Sequence, residues 1–286
     1  MGISLLLAVS RIEWRRTAPR VHAAYDPRRG SHPNSGHFEE ARSLPQQSTP
    51  AFLGTKTSPT LPAGPRLGLV RFPARQVGLT IQNPPLDRTR LLNIVHFPYP
   101  TLRYESKPVT RVDAELKKMI AEMFELMYEA NGVGLAANQV DLPLRFFVMN
   151  AAGKPDEGEE YVFINPVISR PKGSDEKEEG CLSIAGIYAP VTRPAQVHIS
   201  AYSLQGEELE ANLDGLIARV VQHETDHLDG VLFVDRLSTT GFMEIEDMLL
   251  EMQNHYVGRL ERGETADDAT VMERLQEWEN RYASTG

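Results

Sequence analysis

The sequence predicts an α+β fold, and three observations carry that prediction. Leu116, Met119, Ile120, Met123, Phe124 and Met127 repeat at the i, i+3, i+4 spacing of a helix with one buried face. Runs with the β-branched and aromatic content of strands follow it between Arg145 and Leu213. A second helical stretch, about Asp214 to Asp229, then carries two histidines and a glutamate at close spacing.

Taken in chain order, residues 1 to about 88 form a separate region. Segments such as Asp26 to Gly36 and Ser48 to Pro59 are dense in Pro, Gly, Ser and Thr and keep no period of 2 or 3.6. Such sequence cannot bury enough apolar surface to offset chain entropy. It reads as a disordered tail, a processed targeting segment, or sequence upstream of the true start. The arginines of the first 30 residues suit an organelle transit peptide. A catalytic domain is expected over 89–239 and an acidic helical tail over 240–286.

Leu92 to His96 is expected to be the first strand, stopped by Pro98 and Pro100. Asp113 is a good N-cap for the first helix, and Asn131-Gly132 ends it. Arg145 to Met149, Tyr161 to Ile168 and Ala195 to Tyr202 read as strands. Gly206 turns the last of these into Glu208 to Leu213. Gly230 stops the second helix. From about Thr240 one or two acidic helices follow, largely solvated, with Met243, Met248, Leu249 and Met252 as the main apolar positions.

Composition narrows the function classes. Of 286 residues, 41% are hydrophobic and 24% charged, the range of an ordinary globular protein. A net charge of −9 and a pI near 5.5 argue against a surface that grips nucleic acid, so no specific DNA binding is expected. Cys181 is the only cysteine, which rules out an intramolecular disulfide and fits a reducing compartment. No apolar run approaches the roughly 20 residues that span a bilayer. The start, Met1 to Ser10, lacks a basic residue before its short apolar core, and Leu6 stands where myristoylation needs Ser or Thr. A cytoplasmic protein is expected, or an organellar one if residues 1–88 include a transit peptide.

The second helix holds the chemistry. His223 and His227 lie one helical turn apart on the same face, so two imidazoles can reach one metal ion. Glu224 follows the first of them, placed to act on a water at that ion, the H-E-x-x-H arrangement. The bland alternative is a pair of surface histidines; the apolar Val220, Val221 and Leu228 favour a buried helix instead. A site of this kind needs a third protein ligand. A downstream Glu or His is common, and Cys181 in Glu179-Gly-Cys-Leu-Ser183 is the alternative; by itself a lone cysteine is more often a small buried hydrophobe. Gly132-Val-Gly-Leu-Ala-Ala-Asn-Gln139 matches the glycine spacing of a dinucleotide loop, but a helix precedes it and Pro143 with a strand follows. A loop that holds an extended backbone and aims the Gln139 amide into the site fits better.

Together these three segments, at 132–139, 179–183 and 222–228, resemble the G-x-G-L-A-A-x-Q, E-G-C-L-S and Q-H-E-x-D-H-L motifs of the bacterial peptide deformylases. The likeness runs from about Leu92 to Leu237, and Val95 to Leu102 also looks like the family's start. It implies antiparallel β-sheets packed around a central helix that carries the metal motif. It implies a metal held by Cys181, His223 and His227, with Fe2+ the usual ion and nickel, cobalt or zinc as substitutes. The implied reaction is hydrolysis of the formyl amide on the N-terminal methionine of nascent polypeptides.

By the same resemblance Glu224 is the acid/base, and the Gln139 amide with the Leu182 backbone N–H stabilises the oxyanion. Val133 and Gly134 line the peptide groove, Gly180 offers its carbonyl to the substrate, and Leu216 with Val220 helps form the methionine pocket. Glu179 and Arg193 pair as a brace, and Asp226 is either support for the ligands or plain helix surface. Two departures stand out. Ala185 replaces a proline frequent after Cys-Leu-Ser-Ile, and the acidic Glu244, Glu246, Asp247 and Glu251 are at odds with the basic helix that some relatives dock on the ribosome. A metalloprotease and a metal-binding interaction module are the rival readings. The first predicts indifference to Cys181, and the second would normally have lost Glu224 or Gln139.

Overall fold

In the computed structural model, residues 15–17 and 91–283 are described, and the N-terminal extension otherwise lies outside the described residues. Two antiparallel sheets flank one helix. The larger joins β1 (Arg15–Thr17), β2 (Gly134–Ala136), β3 (Phe146–Met149), β4 (Tyr161–Lys172), β7 (Gln196–Tyr202) and β8 (Glu208–Asp214) in the order β1-β8-β7-β4-β3-β2. The smaller is the hairpin of β5 (Asp175–Cys181) and β6 (Ile184–Arg193). Among the described residues, no helix is long and apolar enough to cross a membrane.

Helix α1 (Ala114–Glu129) starts where the Asp113 carboxylate accepts the Leu116 N–H at 2.9 Å and stops before Asn131, at φ 57°. Its apolar stripe enters one core with Leu135, Leu144, Phe146 and Val148. Burial of each such side chain contributes about 1.5–3 kcal/mol. Helix α2 (Gly215–Leu228) sets Ala218, Val220, Val221 and Leu228 into a second core with Phe147, Phe163, Val197 and Ile199 of the larger sheet. On its other side Arg219 and Gln222 hydrogen-bond to the carbonyls of Val191 and Pro194, which ties it to the hairpin. The motif helix is therefore central, between the sheets, as the α+β reading requires.

The chain ends in α3 (Thr239–Glu261) and α4 (Asp268–Tyr282). Most of their residues are exposed, yet Val271, Leu275 and Tyr282 of α4 are fully buried, and Tyr282 joins the α1 core. The tail is largely solvated, as expected, and α4 is in addition anchored to the domain by these buried residues. One difference is at Leu92–His96, which forms no ladder: Val95 N–H donates to the Gln139 carbonyl and Phe97 N–H to that of Ser183, both at 2.8 Å. This extended segment stitches two loops together in place of lining up along a sheet.

Candidate metal centre

Helix α2 places His223 and His227 one turn apart, with ring centroids 5.0 Å from each other. The β5–β6 hairpin turns just after Cys181 and brings its Sγ to 3.1 Å from His227 Nε2, across 46 residues of sequence. The ligand atoms of Cys181, His223 and His227 all lie within 4.8 Å of one another, and theirs is the one such cluster found among the described residues. His223 Nδ1 faces Glu179 Oε2 at 3.1 Å, which leaves its Nε2 for the cluster. Burial opposes a charge on His223, but its hydrogen bonds to Cys181 and Glu179 outweigh this and raise its pKa to about 10. At this point one thiol and two imidazoles converge. That donor set suits a divalent transition-metal ion, and the residues fit the group.

Around the ligands runs a buried charge network. Glu179 accepts Arg193 Nε and Arg219 Nη1 on Oε1, both at 2.6 Å, and Arg193 Nη2 on Oε2 at 2.9 Å. Burial alone would raise its pKa; His223 and Arg193 reverse that and lower it to about 2. Arg193 Nη1 also reaches Asp226 Oδ2 at 2.7 Å, and Arg236 grips both Asp226 oxygens. Asp226 is only 8% exposed, so it supports the site and is not helix surface. The expected Glu179–Arg193 brace is present. Arg219 and Arg236 were not singled out from the sequence, although Arg219, one turn before His223 on a buried face, was a usable signal.

Glu224 sits in the opposite environment. Its Oε2 is buried without a hydrogen-bond partner, and its carboxyl packs on Gly134, where an added Cβ would fall 2.8 Å from Glu224 Cδ. Burial, partly offset by His223 and Arg193, raises its pKa to about 7. His227 is pushed well below its ordinary value, by burial first and then by the neighbouring charges of His223 and Arg193. The Gln139 side chain is held at both ends. Oε1 accepts the Ala136 N–H at 2.8 Å, while Nε2 lies 3.2 Å from Ser183 Oγ and 3.4 Å from Cys181 Sγ.

The remaining predicted residues lie nearby to different degrees. Leu182 follows Cys181 in the hairpin turn, its side chain against Gly132. Gly180 is crossed by the Tyr188 ring, and an added Cβ would meet Cδ1 at 2.6 Å, so a larger residue there would have to displace that exposed ring. Val133 packs on the larger-sheet core beside Gly134. Leu216 and Val220 lie on α2 ahead of His223, but only Leu216, 40% exposed, opens outward; Val220 is buried in the sheet core.

Comparison with known proteins adds independent findings. Residues 91–242 match the family model described as polypeptide deformylase. The peptide deformylase of Rhodopirellula baltica is 53% identical over 191 residues, which span 67% of this chain and 95% of that protein. That of Neisseria meningitidis serogroup C is 47% identical over 167 residues, 58% of this chain and 99% of that protein. Among solved structures, a plant peptide deformylase superposes with a TM-score of 0.58 at 41% identity, over 59% of this chain and 92% of that one.

Proposed function

The chain belongs to the polypeptide deformylase family, metal-dependent enzymes that remove the N-formyl group from nascent polypeptides, and on that premise we propose how its residues divide the work. Cys181, His223 and His227 would hold the ion, and Fe2+ is the proposed metal; one thiolate with two imidazoles also suits nickel, cobalt or zinc. When bound, the ion supplies a water acidic enough to furnish hydroxide near neutral pH. Glu224 would take up a proton from the attacking water and return it to the amine that leaves. The unpartnered Glu224 Oε2, buried beside the ligand cluster, supports this role.

Gln139 Nε2 and the Leu182 backbone N–H donate to the oxygen of the formyl group as it becomes an oxyanion. The pinned Gln139 Oε1 supports the assignment, because it fixes which way the amide nitrogen points. The substrate backbone lies extended along Val133, Gly134 and Gly180. In support, β2 pairs only with β3 and β5 only with β6 among the described residues, so each offers a free edge beside the ligands. Leu216 and Val220 contribute to the methionine pocket, with Leu216 the wall that substrate touches. We place the enzyme in the cytoplasm, where formylated chains are made, or in an organelle if the extension is a transit peptide.

The single observation that carries this reading is the convergence of Cys181, His223 and His227 beside the unpaired Glu224. The test is formate release from formyl-Met-Ala-Ser by protein purified without oxygen, with metal quantified in the same sample. No formate from metal-loaded protein would sink the proposal. Cys181→Ser should lose metal on dialysis against a mild chelator, and retention equal to the parent would remove Cys181 from the ligand set.

A further inference from the structure

We propose that Arg274, on the C-terminal helix α4, is a positioning residue for catalysis: through Asp141 it holds the short turn that presents Gln139. The inference rests on the reading of Gln139 as an oxyanion donor. Gln139 lies in a 3-10 turn, Ala137–Val140, that ends at Asp141. Asp141 adopts φ 66°, a left-handed conformation that side chains bearing a Cβ adopt reluctantly and that persists where the surroundings impose it. Both of its carboxylate oxygens are taken. Thr101 Oγ1 donates to Oδ1, and Arg274 Nη2 pairs with Oδ2. The same Arg274 Nη2 donates to the Tyr99 hydroxyl at 2.6 Å. The guanidinium therefore joins the Gln139 turn to Tyr99, one residue ahead of the Pro100–Arg103 turn that supplies Thr101.

Arg274 reaches this point from outside the recognised domain, since α4 follows the 91–242 stretch that matches the family model. Its position does not depend on the ion pair. Val271, Leu275 and Tyr282 are fully buried, and the Tyr104 hydroxyl donates to Glu279 at 2.8 Å. Helix α4 thus docks by its apolar face and presents Arg274 already aimed, so little order has to be created at Asp141. Gln139 Nε2 works only within hydrogen-bond reach of the reacting oxygen, and a displacement of its turn reduces the rate without removing any substrate contact.

The experiment compares kcat and KM for formyl-Met-Ala-Ser in the metal-loaded full chain and its variants, with metal content measured for each. Arg274→Ala should lower kcat about tenfold and change KM less than about twofold. Arg274→Lys should restore most of the loss. Gln139→Ala should lower kcat about 100-fold, and adding Arg274→Ala to it should cost little more. Arg281→Ala, also on α4, removes an exposed pair with Glu115 of α1 and should leave kcat unchanged.

A kcat for Arg274→Ala within twofold of the parent overturns the proposal. So does a full tenfold loss on top of Gln139→Ala, or an equal loss in Arg281→Ala, because either means general destabilisation. Full activity in Gln139→Ala would instead refute the oxyanion reading itself, a separate result. Arg274→Met, of similar length and without the charge, carries the same comparison if the alanine variant is not recovered folded.

Discussion

Glu179 on β5 and Glu224 on α2 are both buried beside the same histidine, at 6% and 4% exposure, and their surroundings give them opposite chemistry. Glu179 is met by two arginines and His223, and its pKa falls to about 2. Glu224 keeps one oxygen without a partner and rises to about 7. Residue type is the same and surface exposure is nearly the same, so the supply of positive donors, together with the deeper burial of Glu224, separates them. A carboxylate saturated with donors is a fixed anion that orients a ligand. One left short of donors is costly to bury and, in return, is able to exchange a proton near neutral pH.

The contrast can be broken by substitution, and the largest effect is expected at the unsaturated member. Glu224→Ala should retain metal and lose turnover by about 10²–10⁴-fold, the usual worth of a general acid/base. Near-normal formate release from metal-replete Glu224→Ala would end the acid/base assignment. At the saturated member the loss should fall first on stability. Glu179→Ala removes the carboxylate shared by buried Arg193 and Arg219, leaving them only Asp226 and Asp175, at a cost of up to about 3–5 kcal/mol in urea unfolding. Metal affinity should also fall about 10–100-fold, because His223 loses the group that orients it. An unchanged unfolding midpoint would show that Glu179 is not the brace described.

Smaller effects sharpen the comparison at its margin. The Arg236 side chain is 42% exposed, so Arg236→Ala should cost no more than about 1 kcal/mol, since solvent screens its pairing with Asp226. A loss matching Glu179→Ala would mean that burial does not set the strength of these pairs. The weakest expected signal is alkaline. Burial first, then hydrogen bonding to Glu279 and Asp113, raises the pKa values of Tyr104 and Tyr282 to about 12. Folded pKa values above the ordinary value of about 10 mean that their contribution is complete below pH 10 and is lost as pH rises through 12. Denaturant midpoints should fall across that window while phenolate absorbance rises; a flat profile would contradict the α4 docking contacts.

Much of the fold was legible because local chemistry and tertiary packing agree. The α1 stripe, the Asp113 cap and the strands β3, β4, β7 and β8 all read directly from apolar period and β-branched content. Four strands did not, β1, β2, β5 and β6, and two of them show why. Strand β5 is Asp-Glu-Lys-Glu-Glu-Gly-Cys, a charged run that becomes a strand by pairing with β6 and turning Glu179 inward onto two arginines. Strand β2 is three residues of a glycine loop, too short to show a period, and it exists because β3 offers an edge. The opposite error occurred at Leu92–His96, whose strand-like residues bridge two loops and meet no partner strand.

Sequence alone determined the pair of imidazoles, since a spacing of four places His223 and His227 on one helical face wherever the helix goes. Its three motifs also determined the family. The tertiary structure decided what completes and supports that pair. It set Cys181 3.1 Å from His227 Nε2, surrounded Glu179 with donors while denying them to Glu224, and brought Arg274 of the last helix to Asp141 beside the Gln139 turn. The physical reason is that a spacing along one helix is a local property of the chain. The charge state of a buried group instead depends on which distant residues the fold brings against it.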